Sequence, residues 1–210
     1  MNRPLLISDC DEVLLHMVVP WSVWLREERG VEFTFGGNDF SRNMRSLVTG
    51  EPVPAEEIWK LLDDFFDGQM KRQYPVAGSM KAMAEVARHA DVVILTNLVD
   101  RHRDARAAQL LEHGLDVRVF TNQGPKGPAL RRIVDEYQPS EVVFVDDIAQ
   151  HHCSVAELAP EVHRLHFCGE PQIAPHVRCA HAAGEAHARI DEWEQALPWL
   201  LARINGEMND

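Results

Sequence analysis

The sequence predicts an α/β protein built on a parallel sheet with helices on both faces. Short apolar runs alternate with stretches of helical periodicity through most of the chain, the pattern of repeated β-α units. The runs VVIL (92–95) and VVFV (142–145) are apolar throughout, as expected of strands covered on both faces. Several runs also end in a polar residue, and ligands of an open parallel sheet sit beyond those carboxyl ends.

Leu5–Ser8 is the first strand, ending in the acidic stretch DCDE. Residues 16–74 then break the alternation. Trp21, Trp24 and Leu25 predict a helix ended by Gly30. Ile58, Leu61, Leu62, Phe65, Phe66 and Met70 form the apolar stripe of a second helix, with GVEFTFGGNDFSRN between the two. The region reads as a mostly helical insert placed after the first strand, its aromatic stripe serving for packing. Within it, Arg42, Asn43 and Arg45 are polar candidates for contact with a ligand.

Ser79 is an N-cap candidate for a helix carrying Met80, Met83, Ala84 and Ala87. Val92–Thr96 is the next strand. Asp100 can cap a helix running to His113, with Gly114 just past its end. Val117–Phe120 is a strand, and Leu130, Ile133, Val134 and Tyr137 mark an amphipathic helix. Val142–Val145 and Val162–Phe167 complete five strands. A last helix carries Trp193, Ala196, Leu197, Leu200, Leu201 and Ile204, with Asp191 as N-cap and Pro198 expected to kink or split it.

The 210 residues fit one sizeable domain, or one domain with a small insert. A formal net charge of -12 with no basic stripe argues against nucleic-acid binding. A phosphorylated ligand would be repelled at long range, so local cations would have to hold it. The N-terminal apolar stretch is too short for a signal peptide, and no run approaches the ~18 apolar residues of a membrane span. Cys10, Cys153, Cys168 and Cys179 form no C-x-x-C pair, so reduced thiols and a cytoplasmic location are the expectation.

The chemistry-bearing residues fall at the strand ends. Asp9 and Asp11, two apart, would point the same way on a strand, and close carboxylates require a cation or a shared proton. One arrangement has Asp9 ionised as a nucleophile and Asp11 protonated as a general acid; the plain alternative is a strand end and turn, where Asp is common. Asp146-Asp147 at another strand end suits Mg²⁺ and its hard oxygen ligands, or Asp147 only caps the next helix. Thr96 is unremarkable alone. Lys126 alone would be a solvated surface lysine, and GPKGPAL lacks the spacing of a phosphate-binding Walker loop.

Taken in order, LLISDCDEVLL, VVILTN, GPKGPAL and EVVFVDD resemble the four core motifs of the haloacid dehalogenase superfamily of phosphotransferases. The resemblance implies a Rossmann-like three-layer α/β/α core (residues 1–15 and 75–210) and a small helical cap (16–74), with YPVAGSM as the return to the core. It implies Asp9 as nucleophile forming an aspartyl phosphate, and Asp11 as acid/base. Thr96 and the backbone amide of Asn97 would hold phosphoryl oxygens, and Lys126 would neutralise charge. Mg²⁺ would bind Asp9, the Asp11 carbonyl and Asp147, with Asp146 as second ligand or outer-shell acid. The implied activity is hydrolysis of a small phosphate monoester; Asp11 points away from the dehalogenases of that superfamily, which lack this acid. Two departures stand out: Glu12 occupies a position where many members have Gly, and DDIAQHH lacks a further downstream acid.

Other readings remain open. A phosphomutase would carry the same motifs. A non-enzymatic phospho-acceptor domain also combines an Asp, an acidic pair, a Thr and a Lys, but with the pair on its first strand and the acceptor later. The eleven histidines, many past residue 150 and several beside Cys153, Cys168 and Cys179, could assemble a zinc site, although their spacing matches no familiar zinc motif. Arg101, His102 and Arg103 could bind a second anionic group or form a solvated first helical turn.

Overall fold

In a computed structural model, residues 2–36 and 43–207 are described. In chain order the elements are β1 (Leu5–Ser8), β2 (Leu15–His16), α1 (Val18–Trp24), β3 (Val31–Phe33), β4 (Met44–Ser46), α2 (Ala55–Gly68), β5 (Tyr74–Pro75), α3 (Ser79–Val86) and β6 (Asp91–Thr96). They continue with α4 (Arg103–Glu112), β7 (Arg118–Thr121), α5 (Gly127–Tyr137), β8 (Val142–Asp146), α6 (Ala149–Leu158), β9 (His163–His166), β10 (Ala188–Arg189) and α7 (Trp193–Ile204).

Six strands form one sheet in the order β10-β9-β8-β1-β6-β7, every pair parallel. Successive side chains alternate between its faces. Leu6, Ile94, Val143 and Leu165 pack on one face against Met83, Leu110, Trp193 and Leu200 from α3, α4 and α7. Leu5, Ile7, Val93 and Phe144 pack on the other against Leu130, Ile133 and Val155 from α5 and α6. This is the three-layer α/β/α arrangement expected from the sequence.

The chain leaves this frame at β2 and returns at β5, which pair antiparallel with His16 opposite Tyr74. Between them the helices α1 and α2 form as their apolar stripes predict, and the first ends at Gly30, whose φ of 63° closes a π-helical turn over Leu25–Arg29. The intervening stretch is not wholly irregular: β3 and β4 pair as an antiparallel hairpin, with Phe33 opposite Met44. Trp21, Trp24, Phe33, Met44, Phe65 and Phe66 share a second apolar core that also takes in Leu98, Cys168 and Ile173. Arg42 lies outside the described residues.

Several local expectations are corrected. Ser79 is the first residue of α3, after a left-handed Gly78, and its hydroxyl donates to Leu14 O at 3.0 Å, tying α3 to the turn after β1. Asp100 opens a 3₁₀ turn, and its carboxylate accepts from Arg103 and the Thr121 hydroxyl instead of capping a helix. Asp191 accepts from Cys168 N–H and Arg189, leaving Glu192 at the N-cap of α7. Pro198 does not split α7. It and Glu194, whose carbonyl loses the bond, are both exposed, so that carbonyl faces water. The edge strand β10 has only two residues, too few for any periodicity. Among the described residues no helix is long and apolar enough to cross a membrane. All four cysteines are free thiols.

Candidate active site

Strand register builds the site. Ser8 pairs with Val145 and Ile94, so the next residues of the two flanking strands, Asp146 and Leu95, lie level with Asp9. The Asp9 N–H donates to Val145 O at 2.8 Å, which fixes Asp9 at the rim. Thr96 ends β6 and is buried, and Asp147 follows the end of β8.

Lys126 sits immediately before α5. It is fully buried, not solvated, and its Nζ lies 2.8 Å from Asp9 Oδ1 and 2.7 Å from Asp146 Oδ2. Carboxylate oxygens of Asp9, Asp146 and Asp147 all lie within 4.8 Å of one another. Three buried carboxylates thus face one ammonium. Burial, with Asp146 and Asp11 adding to it against the pull of Lys126, pushes the Asp9 carboxyl up to about 7. Burial and its acidic neighbours raise Asp147 well above the usual carboxylate range. Asp146 goes the other way: burial would raise it, but Lys126, His151 and His152 outweigh that and hold it low. The Lys126 ammonium, which burial alone would weaken, is strengthened by Asp146 and Asp9. The excess negative charge and the oxygen donors fit a hard divalent cation.

The two members of the acidic pair differ in their bonding. Asp146 uses both oxygens, Oδ2 on Lys126 and Oδ1 accepting the Ile148 N–H at 2.8 Å. The second of these closes a turn just before α6, and neither aspartate caps that helix. The Asp147 carboxylate makes no hydrogen bond among the described residues, and only its backbone carbonyl is engaged, accepting from His166 Nε2 at 2.8 Å. His152 Nε2 lies 3.0 Å from Asp146 O, so two histidines buttress this loop.

Asp11 lies outside the carboxylate cluster. Both its oxygens accept from Arg106 Nη2, at 2.9 and 3.1 Å, and Oδ1 also accepts from Gln73 Nε2 at 2.6 Å. That is the bonding of a carboxylate, not of a carboxylic acid. Arg106 is wholly buried and was not anticipated, although it shares the buried face of α4 with Leu110 at i+4. Asn97 links the end of β6 to the next loop, donating to Gly124 O at 3.0 Å and accepting from Asn122 at 2.9 Å.

A cavity of about 650 Å³ opens over these groups. Asp9, Asp11, Thr96, Asn97, Asp147 and His151 line its polar side; Phe33, Trp59, Leu62 and Phe66 line the side built by residues 16–74; Ile173, His176 and Arg178 contribute from the C-terminal third. Asn43 also lines it, whereas Arg45 is exposed and donates to Gly50 O. Arg101, His102 and Arg103 are not free for an anion: the first two pair with Asp63 and Asp67 of α2, and Arg103 with Asp100. The His- and Cys-rich residues past 150 do not converge as a metal cluster among the described residues. His166, for one, is occupied at both ring nitrogens, by Asp147 O and Ala180 N–H.

A six-stranded parallel sheet between helical layers, with carboxylates and a lysine gathered at one carboxyl edge, defines the Rossmann-like α/β class. Comparison with solved structures narrows it. The chain resembles a haloacid dehalogenase-like hydrolase from Streptococcus pneumoniae (10% identity, 94% of this chain and 98% of that one, TM-score 0.68). It also resembles a predicted phosphoglycolate phosphatase from Haemophilus somnus (11%, 95% and 99%, 0.63). A third is a haloacid dehalogenase-family hydrolase from Deinococcus radiodurans holding phosphate and sodium (19%, 97% and 97%, 0.64). No protein-family model matches the sequence, and no curated protein is significantly similar to it. At these identities the likeness is one of fold: the chain has the haloacid dehalogenase fold.

Proposed function

We propose that this chain is a Mg²⁺-dependent hydrolase of a small phosphate monoester, with Asp9 as nucleophile. One observation carries the reading: Asp9, Asp146 and Asp147 meet around the buried Lys126 at the end of a parallel sheet, on the floor of a cavity. Asp9 attacks phosphorus, the bond to the leaving oxygen breaks, and an aspartyl phosphate forms. Water then attacks phosphorus, releasing phosphate and regenerating the Asp9 carboxylate. Lys126 offsets the charge of Asp9 and of the phosphoryl group, while Thr96 and the Asn97 backbone amide hold phosphoryl oxygens. Charge neutralisation and in-line positioning are the main requirements of this chemistry.

Asp147, whose carboxylate makes no hydrogen bond among the described residues, would hold the metal with Asp9 and the Asp11 carbonyl; Asp146 is spent on Lys126 and the Ile148 N–H and acts as a positioning residue. When bound, Mg²⁺ supplies the positive charge that the three carboxylates exceed. Turned away from Arg106 and Gln73, the Asp11 carboxylate can take a proton from solvent, pass it to the leaving oxygen and recover one from the attacking water. Gln73 adjoins β5, where residues 16–74 rejoin the core. Movement of those residues as a cap would withdraw Gln73 from Asp11, while Arg106 stays in place on α4 of the core. The apolar wall formed by Phe33, Leu62 and Phe66 selects a monoester with an apolar portion. The test is phosphate release from p-nitrophenyl phosphate: it should require Mg²⁺ and vanish in Asp9→Asn. Release that persists in Asp9→Asn, or needs no divalent ion, overturns the proposal.

A further inference from the structure

Next to the Asp9 cluster, three other side chains converge. Ligand atoms of Glu12, His16 and Glu170 lie within 4.8 Å of one another. Their convergence is built by the backbone. Glu12 adopts a left-handed conformation, φ 59°, that residues with a Cβ seldom take. Its carbonyl accepts the Gly169 N–H at 2.6 Å. A Cβ on Gly169 would fall 2.5 Å from Val76 Cγ1, so only glycine lets the loop after β9 come this close. Glu170 thereby reaches His16, with its Oε2 3.0 Å from Nδ1.

Glu12 Oε1 accepts the N–H groups of Met17 and Val18, at 2.9 and 2.5 Å, and Glu170 Oε1 accepts that of Gln172 at 2.9 Å. Glu12 Oε2 is buried with no hydrogen-bond partner, on a residue only 3% exposed. Each carboxylate thus has one oxygen secured by backbone; the second oxygen of Glu170 meets the imidazole, and the second oxygen of Glu12 has no hydrogen-bond partner. An unpartnered buried carboxylate oxygen beside a second carboxylate calls for positive charge.

We infer that Glu12, His16 and Glu170 form a second cation site, distinct from the Asp9 cluster and selective for a transition ion of the Zn²⁺ type. One imidazole nitrogen with two carboxylate oxygens suits Zn²⁺, whereas Mg²⁺ prefers oxygen alone. Bonds of about 2.0–2.2 Å in tetrahedral geometry place neighbouring ligand atoms roughly 3.3–3.6 Å apart. The 3.0 Å between His16 and Glu170 needs to widen by only a few tenths of an ångström. Glu12 also lines the cavity, so a fourth position is open to it.

The site does not depend on the phosphatase reading, and its test uses no substrate. The full chain carrying Asp147→Asn, which disables the other cluster, is stripped with chelator and titrated calorimetrically with Zn²⁺, and separately with Co²⁺ by visible absorption. One equivalent should bind, with a four-coordinate Co²⁺ spectrum, and either His16→Gln or Glu170→Gln added to Asp147→Asn should weaken binding at least about tenfold. Near-UV circular dichroism from the tryptophans checks folding of each variant. If the Asp147→Asn chain binds no Zn²⁺ tighter than about 100 µM, the inference is overturned. It is equally overturned if the folded His16→Gln and Glu170→Gln chains bind as tightly as their parent, which would place the ion among the other histidines and cysteines.

Discussion

Replacing Lys126 by Met leaves its methylene volume in place but removes the only cation among the described residues in contact with the Asp9–Asp146 pair. Two contacts at 2.8 and 2.7 Å are each worth roughly 6 kcal/mol of Coulomb energy at an effective dielectric constant of about 20. Much of that is cancelled by the cost of desolvating a buried ammonium. Breaking such a buried ion pair by removing one partner typically costs about 3–5 kcal/mol. The penalty should depend on pH, because the stranded carboxylates can take up protons. Urea unfolding of both chains without divalent ions should show a loss of about 3–5 kcal/mol at pH 8 and a distinctly smaller one at pH 5. The double variant Lys126→Met with Asp146→Asn should recover a large part of the loss at pH 8. A loss below about 1 kcal/mol at pH 8, or one that is the same at both pH values, would refute the charge-cluster argument.

Other expectations follow from the same geometry. Asp9 titrates near 7 folded against 3.8 unfolded, so the native state holds the proton more tightly; its contribution to stability falls as pH rises from about 4 to about 7 and is flat above. The difference in unfolding free energy between wild type and Asp9→Asn should therefore shift across that window, and Mg²⁺ should bind more tightly as pH rises through 7. Asp11→Asn should lower kcat by roughly 10²–10⁴ on an alkyl phosphate and much less on p-nitrophenyl phosphate, whose leaving group needs little protonation. Gly169→Ala, whose Cβ would meet both Val76 methyl carbons at 2.5 and 2.9 Å, should destabilise by about 1–3 kcal/mol in thermal unfolding. Trp59→Ala, at a residue 70% exposed on the cavity rim, should leave thermal stability within about 0.5 kcal/mol while raising KM for aryl phosphates.

The sheet was legible because β-branched runs such as VVIL and VVFV admit little but buried strands, and their polar ends mark the ligand edge. Asp9, Asp146 and Thr96 could be placed for that reason, whereas Lys126, which alone reads as a surface lysine, was placed only by the resemblance of the ordered motifs. What escaped was pairing. Nothing at residue 11 says that its carboxylate meets Arg106, which lies 95 positions away on α4. Helical spacing puts Arg106 on the face of Leu110, and a charge on an apolar face is the available signal of a buried partner. Glu12 was visible as an odd residue in the turn. Its company, His16 and Glu170, depends on Gly169 admitting a close approach that sequence spacing does not encode. The β3–β4 hairpin was hidden because three-residue strands leave almost no periodicity to read.

The role of Asp9 can be tested directly by quenching the enzyme in acid during turnover of a phosphate monoester labelled in its phosphoryl group, then mapping the label by peptide mass spectrometry. The account predicts a hydroxylamine-sensitive phosphoryl group on the peptide carrying Asp9, and none in Asp9→Asn. Label on His151 or another side chain, or steady hydrolysis with no covalent phosphoryl enzyme under single-turnover conditions, would contradict it.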